Sequence, residues 1–235
     1  MVTNWEPRRL NAVAVALPET ATPSGTRGRV LLAALALFAE YGFHGTSIRQ
    51  LGAEAGINSA TLYSHYPSKQ HILAELVLIG HRELHERLQT ALVDAPADPT
   101  ARLCALVRAQ VHAHTDFPLL ALVANAELHA LAPERAAPAL ALREQSRQLL
   151  GHVLRAGVDQ GVFRLADAHR RDRDSREHGI GEPEDAISSM GIRVANWFGP
   201  DQPYTRDDVG DQYCEYALRI VGAEQSTQNP KGEGS

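Results

Sequence analysis

Between Arg29 and Lys69 the sequence interrupts itself three times, at Gly42, Gly56 and Pro67, and the apolar residues between these stops recur at helical spacing. Val30, Leu31, Ala34, Leu35, Leu37 and Phe38 step by threes and fours, which predicts a first helix over 29–41 that Gly42 ends. Thr46 and Ser47 stand where an N-cap belongs, Gln50 is placed as the capping-box partner of Ser47, and Ile48, Leu51 and Ala55 form one inward stripe. Gly56 stops this short second helix and Ile57 turns inward. Asn58 or Ser59 then caps a third helix that runs to Tyr66, and Pro67 breaks it after barely two turns.

The rest of the chain reads as longer helices. Ser68 caps a fourth whose stripe is Ile72, Leu73, Leu76, Ile79, His81 and Leu84, reaching about Val93 before a loop over 94–99. Further helical segments are predicted at 100–115, 118–131, 134–161, 183–198 and 205–222, with no convincing strand, so the fold class is all-α. The expected division is a disordered arm over 1–25, a three-helix unit over 26–70, a larger helical bundle over 71–222 and a disordered tail over 223–235. The stretch 168–182, dense in Arg, Asp, His and Gly, is expected to be a surface loop. Arg8 and Arg9 ahead of Leu10–Leu17 imitate a secretory signal faintly, but the apolar run is short and Asn11 interrupts it.

Apolar residues make up 44% of the 235 and charged residues 22%, ordinary for a globular protein, and no apolar run is long enough to span a bilayer. Cys104 and Cys214, the only cysteines, fit a reducing cytoplasm and supply neither a disulfide framework nor a zinc pattern. Through residue 70 the charge is +2, from Arg8, Arg9, Arg27, Arg29, Arg49 and Lys69 against Glu6, Glu19, Glu40 and Glu54; the remainder carries −7. A polyanion would therefore be met by the head.

Two short helices joined by a Gly-containing turn fit a helix-turn-helix whose second helix enters the DNA major groove. Ser59, Thr61, Tyr63 and His65 offer hydroxyl, phenol and imidazole groups to phosphates and base edges, and Ala60 and Thr61 offer methyls to thymine. Thr46 and Ser47 place amides and hydroxyls at a helix start, which suits a phosphate, and Lys69 adds a charge. A small helical bundle with polar residues facing water would show the same periodicity.

From Arg29 to Lys69 the segments Leu37-Phe38-Ala39-Glu40-Tyr41-Gly42-Phe43, Gly45-Thr46-Ser47-Ile48, Ala53-Glu54-Ala55-Gly56-Ile57, Leu62-Tyr63-Ser64-His65-Tyr66 and Ser68-Lys69 closely resemble the DNA-binding domain of TetR-family repressors. The resemblance implies a homodimer that lays two recognition helices on a palindromic operator. It implies phosphate contacts at Thr46, Tyr63, His65 and Lys69 and base-proximal positions at Arg49, Ser59, Ala60 and Thr61, with Arg29, Ser47 and Tyr66 completing the expected DNA-binding set. Arg49 suits a bidentate contact to guanine and suits a phosphate or solvent contact equally.

Asn196-Trp197-Phe198, Pro200-Asp201-Gln202-Pro203-Tyr204-Thr205 and Val209 to Leu218 resemble the last two helices of the branch that includes fatty-acid and steroid-catabolism repressors, which sense acyl-CoA thioesters. By that resemblance Val194, Trp197, Tyr213, Tyr216, Ala217 and Ile220 are expected at a four-helix dimer interface; intramolecular core is the alternative for each. Expected ligand-pocket walls are Phe117, Leu120, Val123, Ala124, Leu128, Leu149 and Val153, with Asn125, His129 and His152 as polar points, although such residues are also ordinary core. Arg143, Arg147 and Arg155 suit the phosphates of a CoA nucleotide or a solvated face.

No cofactor is expected beyond the effector. His81 and His85 share a helical face but lack a third metal ligand, and His112 and His114 point different ways on a helix. No nucleophile elbow, phosphate-binding glycine loop or HExxH motif suggests an enzyme. The expected function is a ligand-released repressor with operator DNA and a small apolar effector as partners; the resemblance of the last two helices implies an acyl-CoA. A multidrug or metal sensor of the same family is the alternative.

Overall fold

The computed structural model describes residues 14–165, 183–199 and 201–223. All regular elements among them are helical: α1 (Gly25–Gly45), α2 (Ile48–Glu54), α3 (Ser59–His65), α4 (Lys69–Asp94), α5 (Pro99–Asp116), α6 (Pro118–Ala126), α7 (Pro133–Asp159), α8 (Pro183–Ile192) and α9 (Arg206–Ile220). Short 3-10 turns follow α6 at Leu128–Ala130 and α8 at Arg193–Asn196. The stretch 168–182 and all of the 223–235 tail except Ala223 lie outside the described residues.

The helix ends follow local chemistry. Gly42 leaves the helical path with φ 72° and ψ 167°, a conformation only glycine adopts easily, so α1 is kinked there before its last turn. Ser47 and Gln50 form the reciprocal capping box of α2, and the Asn58 side chain caps α3 by accepting from Thr61 N. Pro99, Pro118 and Pro133 open α5, α6 and α7, where a missing N–H costs no helical bond.

Two cores stack along α4. The first joins Val30, Leu31, Leu35 and Phe38 of α1 to Leu51, Leu62 and Tyr66, to Ile72–Ile79 of α4, and to Leu119, Leu120 and Val123 of α6. The second joins Leu88 to Leu103, Leu106 and Val107 of α5, Leu150–Leu154 of α7, Ile187 of α8, and Cys214 and Ala217 of α9. The apolar core of the head thus continues past residue 70 into α4 and α6. Asp116 pins the second layer from outside, accepting from Arg87 of α4 at 2.7 Å and from Arg206 of α9 at 2.6 Å.

The expected arm over 1–25 is corrected in its last part. Leu17 is buried in the first core, a 3-10 turn occupies Glu19–Ala21, and Thr22 Oγ1 donates to Pro18 O at 2.7 Å. The absence of a side chain at Gly28 lets the Pro23 carbonyl approach α1; a Cβ there would lie 2.1 Å from that oxygen.

Candidate nucleic-acid interface and inner cavity

α2 and α3 meet closely because Gly52 has no side chain: a Cβ would stand 2.9 Å from the Ile57 carbonyl oxygen. Leu62 is fully buried beneath α3, so the opposite side of the helix is directed outward. Ala60, Tyr63, Ser64 and His65 are exposed, and Ser59 and Thr61 are half-buried. Ser47, Arg49 and Arg29 are also exposed, the last donating to Thr26 Oγ1 at 3.3 Å. These eight of the expected DNA-contacting residues, Arg29, Ser47, Arg49, Ser59, Ala60, Thr61, Tyr63 and His65, keep surface that a duplex can touch.

Three others have inward employment. Thr46 is 2% exposed, and its hydroxyl donates within α1 to Gly42 O at 2.9 Å and sits 3.2 Å from Leu37 O. Its expected phosphate contact through the hydroxyl is therefore corrected to a stitch across the α1 kink. Tyr66 is 2% exposed in the first core, with the Arg27 guanidinium 5.0 Å from its ring centre, and burial pushes its phenol up to about 12. It is a core residue, not a groove residue. Lys69 spends two N–H groups on Phe43 O at 2.5 Å and Thr46 O at 2.6 Å, closing the end of α1, and partial burial lowers its pKa.

Behind the head, α4, α5, α7 and α8 line a half-open cavity of about 260 Å³. Its apolar wall comes from Leu84, Leu88, Leu106, Val107, Leu150, Ile187 and Ile192; His81, Gln110, Asn125, Ser146 and Ser188 are polar points; Arg143, Glu144, Arg147 and Asp185 also border it. Gln110 Nε2 donates to Ser188 O at 2.9 Å, an approach that Gly191 permits, since a Cβ there would sit 2.4 Å from the Gln110 side chain. Asn125 Nδ2 donates to Ala121 O at 2.8 Å.

The sequence profile of bacterial regulatory proteins of the tetR family matches residues 30–76, the segment that builds this head, and that of the tetracyclin repressor-like C-terminal domain matches residues 96–171. The HTH-type transcriptional repressor KstR2 of Rhodococcus jostii is 30% identical over 202 residues, 85% of this chain and 93% of the relative. The chain belongs to the tetR family. As a tetR-family protein it is a DNA-binding transcriptional regulator and not an enzyme. The ketosteroid transcriptional regulator KstR2 of Mycobacterium tuberculosis superposes with a TM-score of 0.70 at 27% identity, over 90% of this chain and 100% of that one. AibR, solved with isovaleryl coenzyme A and operator DNA, shares the fold with a TM-score of 0.68 at 21% identity, over 83% of this chain and 97% of that one.

The residues expected to wall a ligand pocket are divided among several places. Of the predicted lining residues Asn125 reaches the cavity between α4, α5, α7 and α8. Phe117, Leu120 and Ala124 join it at a void of only about 30 Å³, while Val123 is buried in the first core and Leu128 packs against that core. His129 is exposed, and Leu149, His152 and Val153 border a separate surface groove with Leu92 and Val93. Arg143 and Arg147 do border the cavity; Arg155 does not line it. Leu84, Leu106 and Val107 line this cavity unannounced, because inward helical periodicity is shared with every core residue; Gln110, Ser188 and the partly exposed Leu140 line it too and belong to no such apolar stripe.

Val194 and Ala217 are 0% exposed within one chain, so the expectation of contact across a two-fold axis is corrected for both: α9 packs Ala217 into the second core and Val194 packs with Val111 and Val209. Trp197, Tyr216 and Ile220 remain 36%, 40% and 39% exposed, and Tyr213 is half-buried. Neither histidine of the His81/His85 pair is part of a metal cluster among the described residues; His85 Nδ1 meets Ser146 Oγ at 3.1 Å. His112 and His114 do diverge, His112 lying 2.9 Å from Asp207 and His114 buried. No described helix is long and apolar enough to cross a membrane.

Proposed function

We propose that the chain is a homodimeric repressor of a palindromic operator, held by residues 26–70 and released when an acyl-CoA thioester places its acyl group in the cavity of the 71–222 unit. The observation that carries this reading is the cavity itself: an apolar chamber of about 260 Å³ bordered by two arginines. It falls below the roughly 300–1,000 Å³ of sites that enclose drug-sized ligands, so it suits an acyl group and leaves a nucleotide outside. Arg143 and Arg147 then stand where phosphates would emerge, and the Glu144 charge beside them is engaged by Arg147 at 2.9 Å. Aromatic faces, which a multidrug site would want for cationic ligands, are missing from the lining apart from His81. The kinship with repressors named KstR2 supports the steroid-catabolism branch.

α4 links the two ends. Lys69 at its start holds the α1 terminus, and His81, Leu84 and Leu88 of the same helix wall the cavity, His81 about 18 Å along. An acyl group that displaces α4 moves the head with it, and in a dimer changes the spacing of the two α3 helices relative to half-sites about 34–36 Å apart. Trp197, Tyr216 and Ile220, exposed at one end of the second core, suit the two-fold contact.

The test is a mobility shift on the DNA upstream of the chain's own gene, with and without CoA thioesters of graded acyl size, together with sedimentation of the free protein. Retardation by a dimer, reversed by a thioester, is expected. A monomer, or retardation unaltered across the series, overturns the corresponding half of the reading.

A further inference from the structure

His81 of α4 and His114 of α5 are both buried and border the same small void. His81 is 6% exposed and His114 2%. His81 Nδ1 lies 2.9 Å from Val77 O, and His114 Nδ1 lies 2.7 Å from Gln110 O. A carbonyl oxygen can only accept, so each Nδ1 must carry the proton. In a neutral ring the other nitrogen, Nε2, then has a lone pair and no hydrogen. Neutrality follows from the surroundings: burial lowers the pKa of both, and the Arg143 charge lowers that of His81 further.

His81 Nε2 makes no hydrogen bond among the described residues. His81 Nε2 is not one of the fully enclosed side-chain polar atoms, so it keeps open surface, and the residue borders both the 260 Å³ cavity and the void of about 30 Å³ beside it. Gln110 and Asn125, also in the lining, have their amide planes fixed by N–H bonds to Ser188 O and Ala121 O. Each retains a carbonyl oxygen and a second N–H, so neither decides the polarity of a ligand. The imidazole does, because it has nothing to donate.

We propose that the inner end of this cavity selects an effector with a hydroxyl group on its apolar part, and that His81 Nε2 accepts the hydrogen bond. The inference rests on the cavity being the effector site. A ketone at the same place would set two lone pairs against each other and leave a buried acceptor unpaired, whereas a hydroxyl replaces the water that would otherwise satisfy it. Discrimination between groups that do and do not complete a buried hydrogen bond exceeds that available from a methylene of apolar contact.

The probes are cyclohexanecarboxyl-CoA and its 4-hydroxy (both isomers) and 4-oxo derivatives, titrated calorimetrically into the full-length protein. One hydroxy isomer is expected to bind at least five-fold tighter than the oxo compound. In His81→Phe the ratio of hydroxy to oxo affinity is expected to fall to within two-fold, whatever the absolute affinities become. Should that variant fail to fold, ¹⁵N-histidine spectra of the unaltered protein decide: His81 is expected as the Nδ1–H tautomer, with its Nε2 signal shifting on addition of the hydroxy compound and not of the oxo compound. An Nε2–H tautomer, or an oxo compound that binds as well as both hydroxy isomers, overturns the hydroxyl rule and leaves the thioester reading standing. If no thioester binds or releases DNA, the thioester reading itself falls and this inference with it.

Discussion

Lys69, the first residue of α4, donates to the carbonyl oxygen of Phe43 at 2.5 Å and stands 4.2 Å from the centre of the Phe43 ring. One ammonium thereby binds two carbonyls at the C-terminus of α1 and joins the head to the helix that borders the cavity. Hydrogen bonds to a charged group contribute about 1.5–3 kcal/mol. Lys69→Met is expected to lower stability by about that amount for the pair of bonds together, read as a fall in urea midpoint at unchanged m. A loss of DNA affinity with no change in midpoint would show that the ammonium serves the duplex and not the turn.

The exposed head residues behave oppositely. Arg49 and Tyr63 lie on the surface and hold no core contact among the described residues, so Arg49→Ala and Tyr63→Phe should leave the melting temperature within a degree or two. Both should weaken operator binding. If Arg49 neutralises a phosphate, its loss lowers the slope of log K against log salt by about 0.9; if it reads a guanine, affinity falls by about 1–3 kcal/mol for that site alone. Kd values measured across a salt series on operator and random duplex separate the two.

Gly52→Ala tests the closure of α2 on α3. The added methyl would lie 2.9 Å from the Ile57 carbonyl oxygen, backbone that cannot swing away as a side chain would. The cost expected is about 1–3 kcal/mol, as for overpacking elsewhere in a dense core. It should appear both as a lower melting temperature and as weaker DNA binding, because α3 must tilt to relieve the contact. Unchanged values in both would mean that the turn has slack.

The head was legible because its signals are local. Gly42 kinks α1 before its last turn, Gly56 and Pro67 follow the ends of α2 and α3 by their own backbone chemistry, and Leu62 turns inward because α3 has a single apolar side. Thr46 and Tyr66 were misread for the reverse reason: a hydroxyl announces polarity, but not that Gly42 O lies 2.9 Å away to absorb it. The cavity was harder still. An inward stripe tells which side of a helix is dry, not whether that side meets another helix, as Leu120 and Val123 do, or a gap, as Leu106 and Val107 do. The gap depends on how four helices diverge, and on Gly191 admitting Gln110, which no single segment encodes.

Stability should fall as the pH drops below about 6.5, through His81 and His114. Burial lowers both pKa values below 6.5, the ordinary histidine figure that the unfolded chain regains. Between the folded and unfolded values the unfolded chain binds more protons, so unfolding stability rises with pH in that window. The contribution is complete above about 6.5 and is lost progressively as the pH descends toward the folded values, by up to about 1.4 kcal/mol per histidine per pH unit. Asp116 does not intrude: burial alone would raise its pKa, but hydrogen bonds from Arg87 and Arg206 outweigh that and keep it below 3.8, so its effect comes at lower pH. Urea midpoints at pH 7.5, 6.5 and 5.5 measure the slope, and His114→Leu should flatten it because the leucine has no proton to gain. A slope unchanged by that variant would mean that His114 is already protonated in the folded chain or titrates alike in both states.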